Sequence, residues 1–265
     1  MTLLTDPAPE LLIERVRGDR ARRPLRDETS AAGLRALLED NVYEIVGPAR
    51  RETPLTVTSA SLHLARPSRE MSDSVLGRAR GVAVSTLFRL LVAQVHVEDP
   101  YQDALSAWRG ERPHDELLRA VEHLDADQNA RLRADIGAHF ATLSRGLGPI
   151  ASQWWPRTSV RALQTLGGGN VQLRDVVDLV MGTTASDDAS VALVDVTTSP
   201  LGENAERVMR FHALMQTLRT SVVPLRTSMF SSATGELWSR DVDTELLMRA
   251  VQDFVNLLVT LEVSS

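Results

Sequence analysis

Two aspartates lie where carboxylates are costly. Asp178 stands inside the run Val176-Val177-Asp178-Leu179-Val180, and Asp195 inside Val191-Ala192-Leu193-Val194-Asp195-Val196. Desolvating a carboxylate in such a run is unfavourable by several kcal/mol unless hydrogen bonds, a cation or a metal compensate. If the two runs form an antiparallel hairpin with its loop centred between Ser186 and Asp187, Asp178 falls directly opposite Asp195. Opposed residues share a face, with Cβ atoms about 5 Å apart. Two carboxylates that close repel unless a cation or a proton separates them, and Mg²⁺ commonly uses one or two carboxylates. The same spacing also suits a structural arrangement in which Asp178 ends its strand in a hydrogen bond and Asp195 caps the following turn. A slip of one residue would send the side chains to opposite faces.

Composition narrows the chemistry further. All 29 basic residues are arginine and none is lysine, so the chain holds no Schiff-base lysine, no phosphate-loop lysine and no lysine general base. Cysteine is absent, which excludes disulfides, thiolate metal sites and cysteine nucleophiles. Ser85 and Ser159 have no neighbouring base in the sequence, and the turn Gly167-Gly168-Gly169 lacks the helix and lysine of a phosphate loop. No apolar run reaches the roughly 20 residues of a membrane span, so a cytoplasmic protein without membrane contact is expected. The formal charge of -6 does not favour nucleic acid in general. Six arginines between Arg15 and Arg26 against the single acid Asp19 suit either a solvated face or an arm for phosphates or an acidic partner.

The elements that must position these residues follow from periodicity. Residues 1–55 read as a helical, partly mobile lead-in containing a helix from about Ala31 to Val46, and 56–265 as one domain, mainly helical to 147 and sheet-based from 148. Val84, Leu87, Phe88, Leu91, Val92 and Val95 repeat at helical spacing in the segment Gly81 to His96. Helices follow from the cap Asp99-Pro100, over Pro113 to Leu124, and over Asp125 to Leu147. Strands are expected before and after the triple glycine, the second over Val171 to Met181, and again over Val191 to Val196. A helix over Glu203 to Arg219, two strands around Thr234-Gly235 and a final helix capped by Asp243 complete the chain.

At these residues the chain resembles the PD-(D/E)XK nuclease superfamily, in particular its RecB-like exonuclease domains. That family shows, in order, a helix opening G-x-x-x-H, a strand with an aspartate, a strand ending D/E-x-K and a helix with Q-x-x-x-Y. Here Gly81-Val-Ala-Val-Ser85, Val176-Val-Asp178-Leu-Val-Met-Gly182, Val194-Asp195-Val-Thr197 and Val208-Met-Arg-Phe-His212 stand in those places. The resemblance covers roughly Pro54 to Glu262. It implies an α/β fold, a restriction-endonuclease-like mixed β-sheet flanked by helices, with Asp178 and Asp195 as ligands of Mg²⁺ or Mn²⁺.

Departures from the pattern shape the functional expectation. In active members the lysine orients or deprotonates the attacking water and stabilises the transition state. Thr197 stands at that position and Ser85 at the histidine position, while Val208 and His212 replace the glutamine and tyrosine. A migrated cation is conceivable in Arg207 or Arg210, and Arg207, Arg210 and His212 are the expected nucleic-acid contacts. The resemblance thus implies a nuclease-fold protein without effective catalysis, acting in DNA binding or as an assembly subunit beside an active nuclease or helicase. Two other readings remain: an active Mg/Mn-dependent deoxyribonuclease with a substituted cation, and a protein-interaction module with no nucleic-acid role.

Overall fold

The protein was analysed as a computed structural model that describes residues 16, 27–62, 75–109, 111, 114–148, 150–185 and 187–263. The arginine run 15–26 lies outside the described residues apart from Val16. Seven α-helices surround a mixed, open six-stranded sheet among the described residues. The fold is α/β. None of these helices is long and apolar enough to cross a membrane.

Helix α1 (Glu28–Val46) starts at Asp27, whose side chain accepts the Ser30 N–H. Strand β1 (Leu55–Thr58) follows, then a 3₁₀ turn, Ser59–Leu62, in which Ser61 bonds back to Thr58. Helix α2 (Val75–Val92) begins six residues before Gly81. Gly81 therefore sits inside the helix and does not open it; the preceding turn, Val75 to Arg80, is helical despite Gly77 and buries Ala79. The helix ends before Gln94, which takes φ +58°. Helices α3 (Pro100–Trp108), α4 (Asp115–Glu122) and α5 (Ala126–Leu147) come next, α3 capped by Asp99 and α5 by a reciprocal Asp125–Gln128 box.

Strands β2 (Arg157–Leu166) and β3 (Val171–Met181) form a long antiparallel ribbon around the glycine turn. On its other edge β3 pairs in parallel with β1 through its first half, and antiparallel with β4 (Ala192–Thr197) through its last residues. Helix α6 (Glu203–Thr220) crosses over to β5 (Arg226–Ser231), parallel to β4; β6 (Leu237–Asp241) and α7 (Thr244–Val263) end the described chain.

Helices cover both sides of the sheet. On one side α1, α6 and α7 pack Leu38, Val42, Phe211, Leu214, Leu246 and Phe254 against Leu173, Val177, Val180, Leu193 and Met229. The helix of the lead-in is thus part of the main core. On the other side α2 and α5 lay Val84, Phe88 and Leu143 on Leu179, Met181, Ala192, Val194 and Phe230. The reverse stripe of α2, Ala79, Ala83 and Leu87, joins α3, α4 and α5 in a helical core around the fully buried Trp108. The Trp108 indole N–H donates to Thr86 Oγ1 at 3.0 Å. Thr86→Val keeps the volume but orphans that buried donor, so urea unfolding should show a loss of about 1–3 kcal/mol.

Candidate functional site

Asp178 and Asp195 meet where the sheet forks. The pairing Leu179↔Val194, Val180↔Leu193 and Met181↔Ala192 continues to place Asp178 opposite Asp195. Ladder pairing with β3 stops at Val194, while β4 stays paired with β5 from Ala192 to Thr197. The carboxylates take over where the ladder stops. Asp178 Oδ2 accepts the Val196 N–H at 2.9 Å, and Asp195 Oδ1 accepts the Asp178 N–H at 3.4 Å.

Strand β3 changes face at this point. Leu173 and Val177 belong to the α6 side, whereas Leu179 and Met181 belong to the α2 side. Opposite Asp178 on β2 stands Ser159, whose φ of +51° interrupts the ladder; pairs are formed at Thr158↔Leu179 and Val160↔Val177 but not between them. A left-handed residue in a strand re-aims its neighbours. Arg157, beyond Ser159, accordingly lies close enough to Arg219 of α6 to hold the Arg219 pKa down, second to burial.

A chain of polar groups runs through the sheet at this site. Ser85 of α2 donates to Asp178 Oδ1 at 3.4 Å. From the other side His212 of α6 places Nδ1 2.8 Å from Asp175 Oδ2 and Nε2 3.6 Å from Asp195 Oδ2. His212 and Asp175 are buried, their side chains 1% and 0% exposed, while Asp195 retains 19%. Burial opposes charging His212, but Asp175 and then Asp195 outweigh it and raise its pKa well above the usual histidine value. Burial and then the charge of Asp195 push the Asp178 pKa well above the usual carboxylate range, against the pull of the Val196 N–H.

The remaining expected residues are placed elsewhere. Thr197 Oγ1 accepts the Ser199 N–H, and its carbonyl accepts the N–H and Oγ–H of Ser232. Ser232 in turn pairs with buried His139, whose pKa is lowered first by burial and then by Arg80. Arg210 cannot serve as a migrated cation or a nucleic-acid contact: it is 8% exposed and points to Asp253 and Glu206 at 2.7 and 2.9 Å. His212 is likewise too deeply buried to touch nucleic acid. Arg207 is half-buried on α6 and takes no part in the network. The basic side chain beside the acids is therefore His212, on the helix that was expected to supply an arginine.

Asp175 is the member that sequence reading missed. Its signal was available, since Val171, Leu173, Asp175 and Val177 share one parity and the three apolar residues are buried. An acid on the inward parity requires a buried partner.

Three of the four oxygens of Asp178 and Asp195 accept from a protein donor: Ser85 Oγ, Val196 N and Asp178 N. The fourth, Asp195 Oδ2, is 3.6 Å from His212 Nε2, which has no hydrogen-bond partner. Mg²⁺ takes one or two carboxylates and keeps several waters; among the described residues no three acidic or histidine side chains converge to hold a metal ion.

No protein-family model and no curated protein matches the chain. Among solved structures it is similar to "Crystal structure of SSO0001", at 10% identity over 84% of each chain with a TM-score of 0.32, a likeness that carries no argument.

Proposed function

We propose that the chain is a PD-(D/E)XK nuclease-like domain of the RecB-like type that has lost phosphodiester hydrolysis and serves as a binding or assembly subunit, with DNA or an active nuclease or helicase as its partner. The motif order supports the nuclease-like part: a helix with Ser85, a strand with Asp178, a strand with Asp195 and Thr197, then a helix with His212, brought to one fork in the sheet. One observation carries the loss of catalysis. Asp178 and Asp195 are engaged by backbone N–H groups beside the buried His212, and Thr197, at the lysine position, has no basic group and accepts the Ser199 N–H. Without a mobile cation at that position, the site lacks the group that would activate water and stabilise a pentavalent phosphate.

Calorimetric titration of Mg²⁺ and Mn²⁺ into the protein, paired with incubation of single- and double-stranded DNA in both metals, tests this. The expected result is no binding heat and no cleavage. Metal-dependent cleavage that disappears in both Asp178→Ala and Asp195→Asn would establish instead an active deoxyribonuclease with a substituted cation.

A further inference from the structure

We infer that the open face of the β2–β3 ribbon is a binding surface for a single-stranded nucleic acid, separate from the acid pair. Before the face change at Ser159, the register sets Arg161 opposite Val176, Leu163 opposite Arg174 and Thr165 opposite Gln172, all on one side. The opposite parity is the one buried against α6 and α1. These six side chains are left uncovered by the described helices: Leu163 is 57% and Val176 48% exposed.

Charge decides what this face suits. The acids of the ribbon, Asp175 and Asp178, are both turned into the polar network, so its exposed charges are all positive. Arg174 bonds only the neutral Gln172, and Arg161 has no carboxylate partner among the described residues. The ribbon at the other end of the sheet is built differently. There Arg226 faces and pairs with Asp241, and Arg240 meets Glu206, Asp243 and Glu245. In a chain of net charge -6, two adjacent guanidinium groups kept free of acids select an anionic partner. Arg161 and Arg174 are diagonal neighbours, about 7–8 Å apart at that position in a ribbon, so both reach one phosphate backbone. Leu163 and Val176 occupy the crossing diagonal and flank the two guanidinium planes, on which unpaired bases can stack, while Thr165 and Gln172 offer hydrogen bonds. A duplex, whose bases are hidden, has no use for those contacts.

This assignment rests on the nucleic-acid arm of the proposed function. Fluorescence anisotropy of labelled single-stranded DNA, titrated with the full chain at several salt concentrations, tests both. The double variant Arg161→Ala/Arg174→Ala should bind more weakly, and its slope of log affinity against log salt should be smaller by about 1.4, at about 0.7 per phosphate contact. Arg249→Ala, which removes an acid-paired arginine, should bind as the wild type. Unchanged binding by the double variant, with an unchanged melting curve, overturns the assignment of the surface but leaves DNA binding standing. No binding by the wild type overturns both. Equal or tighter binding of duplex DNA or of a polyglutamate peptide overturns the choice of a single strand.

Discussion

His212→Ala should cost about 3–5 kcal/mol in urea unfolding at pH 7, the range for removing one partner of a buried ion pair. Two losses combine. Asp175 is left with both carboxylate oxygens buried, one of which already has no hydrogen-bond partner, and Asp195 loses the charge that offsets its repulsion of Asp178. The pH profile separates this cause from simple loss of packing. The folded-state pKa of His212 lies above its unfolded value of about 6.5, so its contribution is complete below that pH. It is lost as pH rises through the folded pKa. Asp178 acts in the same direction, because its folded pKa is also raised and the folded state holds the proton more tightly. Wild-type stability should therefore decline with rising pH, from about pH 4 through Asp178 and from about pH 6.5 into the alkaline range through His212. His212→Gln should flatten that alkaline decline, and a slope retained there in this variant would show that the imidazolium is not its source. Proton-detected spectra should find the His212 ring doubly protonated at pH 7.

Gly182→Ala should destabilise the protein by about 3 kcal/mol or more, through a wholly different cause. Gly182 closes β3 at φ +91°, and a Cβ there would stand 2.1 Å from the Ser190 carbonyl oxygen. Backbone strain of this kind costs about 1–3 kcal/mol, and forced overpacking adds a similar amount. Ser190 belongs to the backbone immediately before β4, so it cannot yield without moving the strand that carries Asp195. Thermal melting should report the loss of stability. A bound-proton count by potentiometry should show that His212 has lost part of its charge, because the hairpin register no longer brings Asp195 to the ring. An unchanged melting temperature would mean that the loop relaxes freely and does not set that register.

The residues that sequence reading located best were those governed by local physics. Strand β3 runs over Val171–Met181 as its apolar run requires, and Asp99, Asp125 and Asp243 cap the helices that follow them. The opposition of Asp178 and Asp195 was legible because a hairpin register is fixed by counting. Three features were not. The start of α2 falls where Gly77, Arg78 and Arg80 interrupt the apolar period that marks the rest of the helix. The partner of His212 depends on which way α6 rolls over the sheet, a tertiary fact. The face change at Asp178 comes from one backbone dihedral at Ser159, and serine carries no sign of it. The same ignorance made Arg210 an attractive cation, since its spacing on α6 does not reveal that α7 brings Asp253 to it.

That face change has a mechanical consequence. The first half of β3 is anchored in the core under α6 and α7; in the second half Leu179 and Met181 reach the core under α2 and α5, while Val180 stays in the first. One continuous strand is thus stitched into two layers. Neither layer can release its half without dragging on the other, so the two cores should melt in a single cooperative step. The polar network sits at the stitch itself, where both layers pull on the same few backbone amides.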